Sequence, residues 1–395
     1  MSNSIPAQPL FALRLLSLAY FIQAVGALSV VGSLEAISRE WALSASQSAY
    51  LITVFGVTFA LAAPLLQVAL GHLPRRRQVL LGLGLFSTAS MLFAFAPSYE
   101  VLLASRVLMG IGAGFIGPVL GALGSNLVER DQQGSAIAVV LLGLSVAGLA
   151  GMPITAWLAH VWGARNLFMG IGLAGMVTAL LILWRVPNKV AGERVAFRSM
   201  VGLLTDPGSL SALLVVFFVT TGVFSTYAFL TPIIRNDYHG NPADVSLALT
   251  VLGVAGVLGN LFVTRAARYL SAVIMLVAGV GLLMADVLFM WMAPSQLGWL
   301  LVALVLWAFA TDIVWPTQQR RMVELRPEQR GIALALTASF LFCGIGLGSA
   351  IAGWVYPAYG YAGLLASSLL SLSLALGCLV FSERWVLPAS ADAMA

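Results

Sequence analysis

Four ionisable side chains stand inside otherwise apolar stretches of this chain: Glu35, Arg106, Asp286 and Asp312. If those stretches cross a bilayer, a charge at the centre of one costs at least ~2.5–3.5 kcal/mol, so such residues mark a functional site or a buried pair. A carboxyl group that changes exposure between two conformations takes up and releases a proton, because burial favours the neutral form and water or a nearby Arg the charged one. Asp312, near the middle of its stretch, is the first candidate for that chemistry. Glu35 follows, at the end of its stretch, and then Asp286, whose position also suits a structural role. Arg106 keeps its proton and must find partners, either a carboxylate or carbonyl oxygens.

Other chemistry is poorly represented. His72, His160 and His239 all fall near the ends of apolar stretches and form no metal spacing. None neighbours a candidate nucleophile, so no catalytic residue, metal or cofactor is expected. Gly112-Ala113-Gly114-Phe115-Ile116-Gly117 matches a dinucleotide fingerprint but sits within an apolar run, not after a strand, and carries no such meaning. No Gly-x-x-x-x-Gly-Lys motif supports nucleotide hydrolysis. An intramembrane enzyme is therefore the weaker alternative from another class.

The elements that carry these residues follow from composition. Charged residues make up 9% and hydrophobic residues 60% of the 395, against about 25% charged in a soluble domain. So much apolar surface must face lipid. The net charge of +5 does not line one face, which argues against a nucleic-acid partner. Cys343 and Cys378 lie in apolar runs and imply no disulfide framework. Met1 to Pro9 is polar, and the run after it is long enough to span and stay rather than serve as a cleavable signal.

Twelve stretches reach the ~20 residues that a span requires: 11–33, 45–70, 78–96, 99–127, 134–159, 165–186, 209–232, 243–264, 271–293, 297–319, 330–355 and 361–382. The segment Pro187 to Pro207, with Lys189, Glu193, Arg194 and Arg198, reads as a linker with an amphipathic surface stretch. Basic residues alternate with the spans. Arg14, Arg75, Arg76, Arg77, Arg130, Arg185, Lys189, Arg194, Arg198, Arg265, Arg268, Arg320, Arg321, Arg326, Arg330 and Arg384 fall on one side, and Arg39, Arg165 and Arg235 on the other. By the positive-inside rule both termini are expected in the cytoplasm.

The chain also repeats itself at an offset of 197 residues. Gly56-Val57 recurs as Gly253-Val254, Gln132 as Gln329 and Gly134 as Gly331; Gly151, Trp157 and Gly163 recur as Gly348, Trp354 and Gly360. Internal duplication of this kind is the mark of secondary transporters, in which two bundles rock about a shared site near the midplane. The expected fold is all-α: twelve transmembrane helices in two pseudo-symmetric six-helix bundles, residues 1–186 and 208–395, joined by the linker 187–207.

Motifs in the first half sharpen this. Arg106-Val107-Leu108-Met109-Gly110-Ile111-Gly112-Ala113-Gly114 resembles the fourth-span motif of the major facilitator superfamily. Gly148-Leu149-Ala150-Gly151-Met152-Pro153-Ile154-Thr155, followed by Gly163-Ala164-Arg165 and Phe168, resembles the fifth-span antiporter motif of its drug:proton antiporter group, in the form found in bacterial arabinose-efflux-permease-like members. The glycines permit close helix approach, and Pro118, Pro153, Pro232 and Pro316 permit bending.

The resemblance implies proton-coupled efflux of a small neutral or cationic organic molecule across a bacterial inner membrane, by a monomer embedded in lipid. Proton-coupled or facilitated uptake is the competing reading. It also implies that Arg106 faces a cavity, with Tyr20 and Gln23 from the first span, Phe224 and Tyr227 from the seventh, and Trp307 and Trp315 from the tenth. Conformational roles pass to Gly71, Arg75, Arg76, Arg77, Gly110, Gly114, Gly148, Gly151 and Pro153. Two positions depart from the family: Gly71 stands where an Asp usually precedes the basic cluster, and Ala27 where a first-span Glu is common. Proton coupling is thereby moved to other carboxylates, Asp312 first.

Overall fold

Inside hydrocarbon a chain can satisfy its backbone N–H and C=O groups only through helices or a closed barrel, and the apolar runs of this protein all become helices. A computed structural model describes residues 7–129, 132–188, 190–192, 197–267 and 269–392. Arg130, Lys189, Glu193, Arg194 and Arg268 lie outside these, as do the side chains of Pro118 and Arg330.

The order begins with α1 (Ala7–Glu40), α2 (Ala45–Leu70), α3 (Arg75–Ala94), α4 (Tyr99–Ser125), α5 (Gln133–Val146), α6 (Met152–Trp162) and α7 (Ala164–Arg185). The short α8 (Phe197–Thr205) precedes α9 (Pro207–Tyr227), α10 (Leu230–Pro232), α11 (Pro242–Ala266), α12 (Ala272–Met292), α13 (Leu297–Leu325) and α14 (Arg330–Asp392). Among the described residues ten helices are long and apolar enough to cross a membrane, or eleven when the bent pair α5–α6 is counted as one span.

The sequence pattern is corrected in one place. The stretch 134–159 is not one straight helix: α5 and α6 are bent by 53° across a π-turn at Ala147–Gly151. Pro153 explains the break, since it has no N–H to donate and its ring crowds the preceding turn. The stretches 330–355 and 361–382 form the two arms of α14, which kinks between them. Its candidate span, Gly331–Arg384, has 54 residues, about 80 Å of helix against a core of about 30 Å. Gly360, at φ 60° and ψ −157°, interrupts the helical geometry. With the two arms of α14 taken as separate crossings, the tally is twelve.

Gly163, the repeat partner of Gly360, has φ 87° and ψ 160°. These are the two glycines with positive φ among the described residues, and both occupy backbone space essentially closed to other amino acids.

The chain divides into two compact units, one of residues 1–44 and 57–195, the other of 45–56 and 196–395. Each is held by glycine-mediated backbone contact. In the first, a Cβ on Gly112 would lie 2.7 Å from the Gly82 carbonyl oxygen on α3. In the second, a Cβ on Gly348 would lie 2.5 Å from the Thr221 carbonyl oxygen on α9, and one on Gly56 2.5 Å from that of Phe342. Helix α8 lays Met200 and Leu203 against Ala212, Met322 and Leu336 and leaves Phe197 and Val201 exposed, the pattern of a surface helix. Cys343 and Cys378 are free thiols.

Replacing Gly360 by Ala is expected to strain the backbone by about 1–3 kcal/mol and lower the melting temperature in detergent. Gly84→Ala, where an added Cβ meets nothing within 4 Å, should leave it unchanged. Equal melting of the two variants would contradict the assignment of Gly360 as an obligatory break.

Candidate functional site

In the first unit Arg106 is fully buried on α4. Its Nη1 donates to the Gly26 carbonyl at 3.0 Å and its Nη2 to the Ala27 carbonyl at 2.9 Å, with Met109 Sδ at 3.7 Å. Carbonyl oxygens of α1 are thus among the partners of this guanidinium. Gln23 is buried three residues before Gly26, and Tyr20 is half-buried. Glu35 is exposed near the end of α1.

The motif glycines do different work. Gly110 is buried, and a Cβ on Gly114 would lie 3.0 Å from the Ala63 backbone nitrogen. Gly151 closes the π-turn against α1, with room for a Cβ only 2.6 Å from Val25. Gly148, in the same turn, has open space beside it. The π-turn and Pro153 thus form a bend whose buried side rests on α1, while its other side is unobstructed.

The loop at Gly71 is held from α3. Gln78, buried on α3, donates through Nε2 to the carbonyls of Gly71 at 2.9 Å and Leu73 at 2.7 Å. The Arg75 amide donates to the Val190 carbonyl at 3.1 Å and Arg76 Nη1 to the Val186 carbonyl at 2.7 Å, while Arg77 is exposed. The basic loop therefore grips the end of α7 and the chain beyond it, where helix-terminal carbonyls attract cations. At the opposite end of α7, Glu40 accepts from the Ala164 amide at 2.7 Å and the Arg165 amide at 3.1 Å. The Arg165 guanidinium lies 4.4 Å from the Trp41 ring centroid.

In the second unit Phe224, Tyr227 and Trp307 come together. Phe224 and Tyr227 meet edge-on at 5.3 Å, and Tyr227 meets Trp307 edge-on at 6.3 Å, linking α9 to α13. Trp315 stands two turns further along α13, its indole N–H buried and unpartnered among the described residues. Asp312 is half-buried and faces α11: a Cβ on Gly256 would fall 2.5 Å from its Oδ2, and one on Gly259 3.1 Å from its own Cβ. Two glycines thus make the space this carboxyl group occupies. Asp286 is deeply buried on α12, and neither carboxylate oxygen finds a hydrogen-bond partner among the described residues.

Polar residues that carried no predicted role close the arginine-rich end of this unit. Buried Gln318 donates to the Ala212 carbonyl at 2.5 Å. Buried Arg321 reaches Ser382 Oγ at 2.8 Å and Glu383 Oε1 at 2.6 Å. Asp206 caps α9 by accepting from the Ser209 amide at 2.7 Å, and pairs with Arg326. Apart from the local cap between Asp206 and Ser209, the partners lie 61 to 120 residues apart in sequence, so no local spacing announces them.

Two units of apolar helices, duplicated anchors and an intramembrane Arg on a Gly-rich helix are matched by one family profile, the Major Facilitator Superfamily, over residues 16–233 and again over 212–391. The chain belongs to that superfamily. It is a multi-pass secondary transporter and not an enzyme. As a superfamily member it resembles the inner membrane transport protein YdhP of Escherichia coli K12, 27% identical over 360 residues, 90% of this chain and 92% of that protein. It also resembles the uncharacterized MFS-type transporter YbcL of Bacillus subtilis, 25% identical over 339 residues, 86% and 87% of the two. Among solved structures, a bacterial homologue of the human lysosomal transporter Spinster, inward-facing and unoccupied, aligns over 97% of this chain and 96% of its own, with TM-score 0.68 and 16% identity. The human organic anion transporter MFSD10 aligns over 96% and 100%, with TM-score 0.68 and 20% identity. These two support the transporter fold alone.

Arg106→Lys offers one ammonium where two guanidinium nitrogens now reach adjacent carbonyls. It is expected to cost roughly 1–3 kcal/mol of stability and to abolish transport; normal melting with normal transport would refute the clamp. Burial opposes the charge on Asp206, but hydrogen bonds from Arg326 and Ser209 outweigh it and hold the carboxyl below its ordinary range. Its contribution is therefore complete above the unfolded value of about 3.9 and is lost as pH falls through the lower folded value. Asp206→Asn should flatten that acid limb of a melting-against-pH curve; an unchanged limb would contradict the pairing.

Proposed function

We propose that this superfamily member is a proton-coupled exporter of a small neutral or cationic organic molecule, resident in a bacterial inner membrane with both termini cytoplasmic. Two six-helix bundles, 1–186 and 208–395 with the linker 187–207, would be its moving parts in alternating access, as a monomer. The fifth-span motif from Gly148 to Pro153 supports membership of the drug:proton antiporter group, and the arginine alternation supports the orientation. The name of the E. coli relative, an inner membrane transport protein, supports the location.

The observation that carries proton coupling is Asp312. It sits within a span in a space provided by Gly256 and Gly259, and no hydrogen bond or ion pair reaches its carboxylate among the described residues. An acid without a cationic partner at that depth is a proton-exchanging group, as in other membrane transporters. Ala27 and Gly71 leave the family's usual acidic positions empty, and Asp286 and Glu35 stand behind Asp312 in order. For substrate, the Phe224–Tyr227–Trp307 cluster supplies aromatic surface, which suits an apolar or cationic molecule. The indole N–H of Trp315, unpartnered among the described residues, offers one hydrogen bond.

Asp312→Asn mimics the protonated acid. In proteoliposomes it should retain substrate counter-flow while losing accumulation driven by a pH gradient. Uphill transport by Asp312→Asn with ordinary pH dependence would place the coupling group elsewhere.

A further inference from the structure

An open groove of about 450 Å³ runs between α12 and the second arm of α14. Met284 from α12 faces Leu376, Val380 and Phe381 from α14 across it, and Arg384 stands at one end. Ser373, at the other end, gives its hydroxyl to the Leu369 carbonyl at 2.8 Å and so presents no unsatisfied donor. Gly377 also lines the groove, and a Cβ there would meet nothing within 4 Å. Val380 and Phe381 are 53% and 48% exposed, so the groove opens outward from a membrane-crossing helix. At that depth its filling is hydrocarbon.

Its length and charge narrow the occupant. From Ser373 to Arg384 the helix rises about 16 Å, close to half of the ~30 Å hydrocarbon core, the reach of an acyl chain in one leaflet. Arg384 has no hydrogen bond or ion pair among the described residues, whereas the neighbouring Glu383 is held by Arg321 at 2.6 Å. A free guanidinium therefore stands at headgroup level above an apolar furrow. We propose that this groove is a specific site for one anionic phospholipid of the leaflet adjoining Arg384. The phosphate engages the guanidinium, for which bidentate pairing is favourable, and one acyl chain lies along Gly377 toward Met284, whose thioether adapts to it. The site is independent of the proton-coupling reading.

The test is native mass spectrometry of the full chain in detergent, titrated with equal amounts of palmitoyl-oleoyl phosphatidylglycerol and phosphatidylcholine. Phosphatidylglycerol should be retained in preference. Arg384→Ala should weaken it roughly fivefold, the effect of one basic side chain at an anionic lipid surface, and leave phosphatidylcholine unchanged. Gly377→Phe, whose ring enters open space, should expel the bound lipid at an unchanged melting temperature. Equal retention of the two lipids, phosphatidylglycerol binding unmoved by Arg384→Ala, or full lipid retention by Gly377→Phe would each overturn the proposal.

Discussion

Helices dissolved in hydrocarbon gain little by hiding apolar side chains from it, so packing must come from close approach and directed polar contacts. In this protein close approach is made at glycines set against a neighbouring backbone. Gly82 and Gly112 bring α3 to α4, and Gly344 and Gly348 bring the first arm of α14 to α9 at Phe217 and Thr221. Gly143 does the same for α5 against Ser17 on α1. A single added methyl at these places meets main-chain atoms, which cannot rotate away as a side chain can. The same property lets the fifth span bend: Gly151 rests on Val25 while Gly148 has space beside it, so the π-turn is supported on one side only.

Charge within the apolar spans follows a second rule. Arg106, which keeps its proton, is given two carbonyls of α1. Asp312 and Asp286 receive no such compensation among the described residues, and a carboxyl group can instead carry a proton. The contrast separates a fixed charge that ties helices together from acids able to change state. At the span ends, where water and helix termini are available, polar residues serve as fasteners. Glu40 caps α7, Gln78 binds the carbonyls of the loop at Gly71, and Asp206 caps α9 beside Arg326.

The duplicated anchors gain physical meaning from their backbone geometry. Gly163 and Gly360 share positive φ with ψ near the extended limit, and each breaks the chain between two apolar helices. Gly151 and Gly348 each press toward an earlier helix of their own unit, α1 and α9 respectively. Trp157 and Trp354 are both exposed, at 54% and 69%, as suits lipid-facing positions rather than core. A repeat seen as letters at a fixed spacing therefore corresponds to repeated bends, contacts and lipid faces.

Composition and hydrophobic run length by themselves determined that this chain is a multi-pass helical protein, because a bilayer permits few other solutions. The motif around Arg106 and the repeat likewise determined its family from the sequence. Where the helices bend, and which carbonyls Arg106 would take, had to come from the tertiary structure. The 53° break at the fifth span depends on backbone geometry around the π-turn at Ala147–Gly151, which hydropathy does not encode, whereas the break at Gly360 falls between two stretches that hydropathy already separates. Gln78, Gln318 and Glu383 were not legible, since a buried polar residue declares its role only through a partner, and theirs lie on loops or helices that folding brings near. Asp312 was legible as an acid in a span. That it rests in a space left by two glycines of α11 was decided by packing, because only neighbouring helices can set what surrounds a side chain in the membrane.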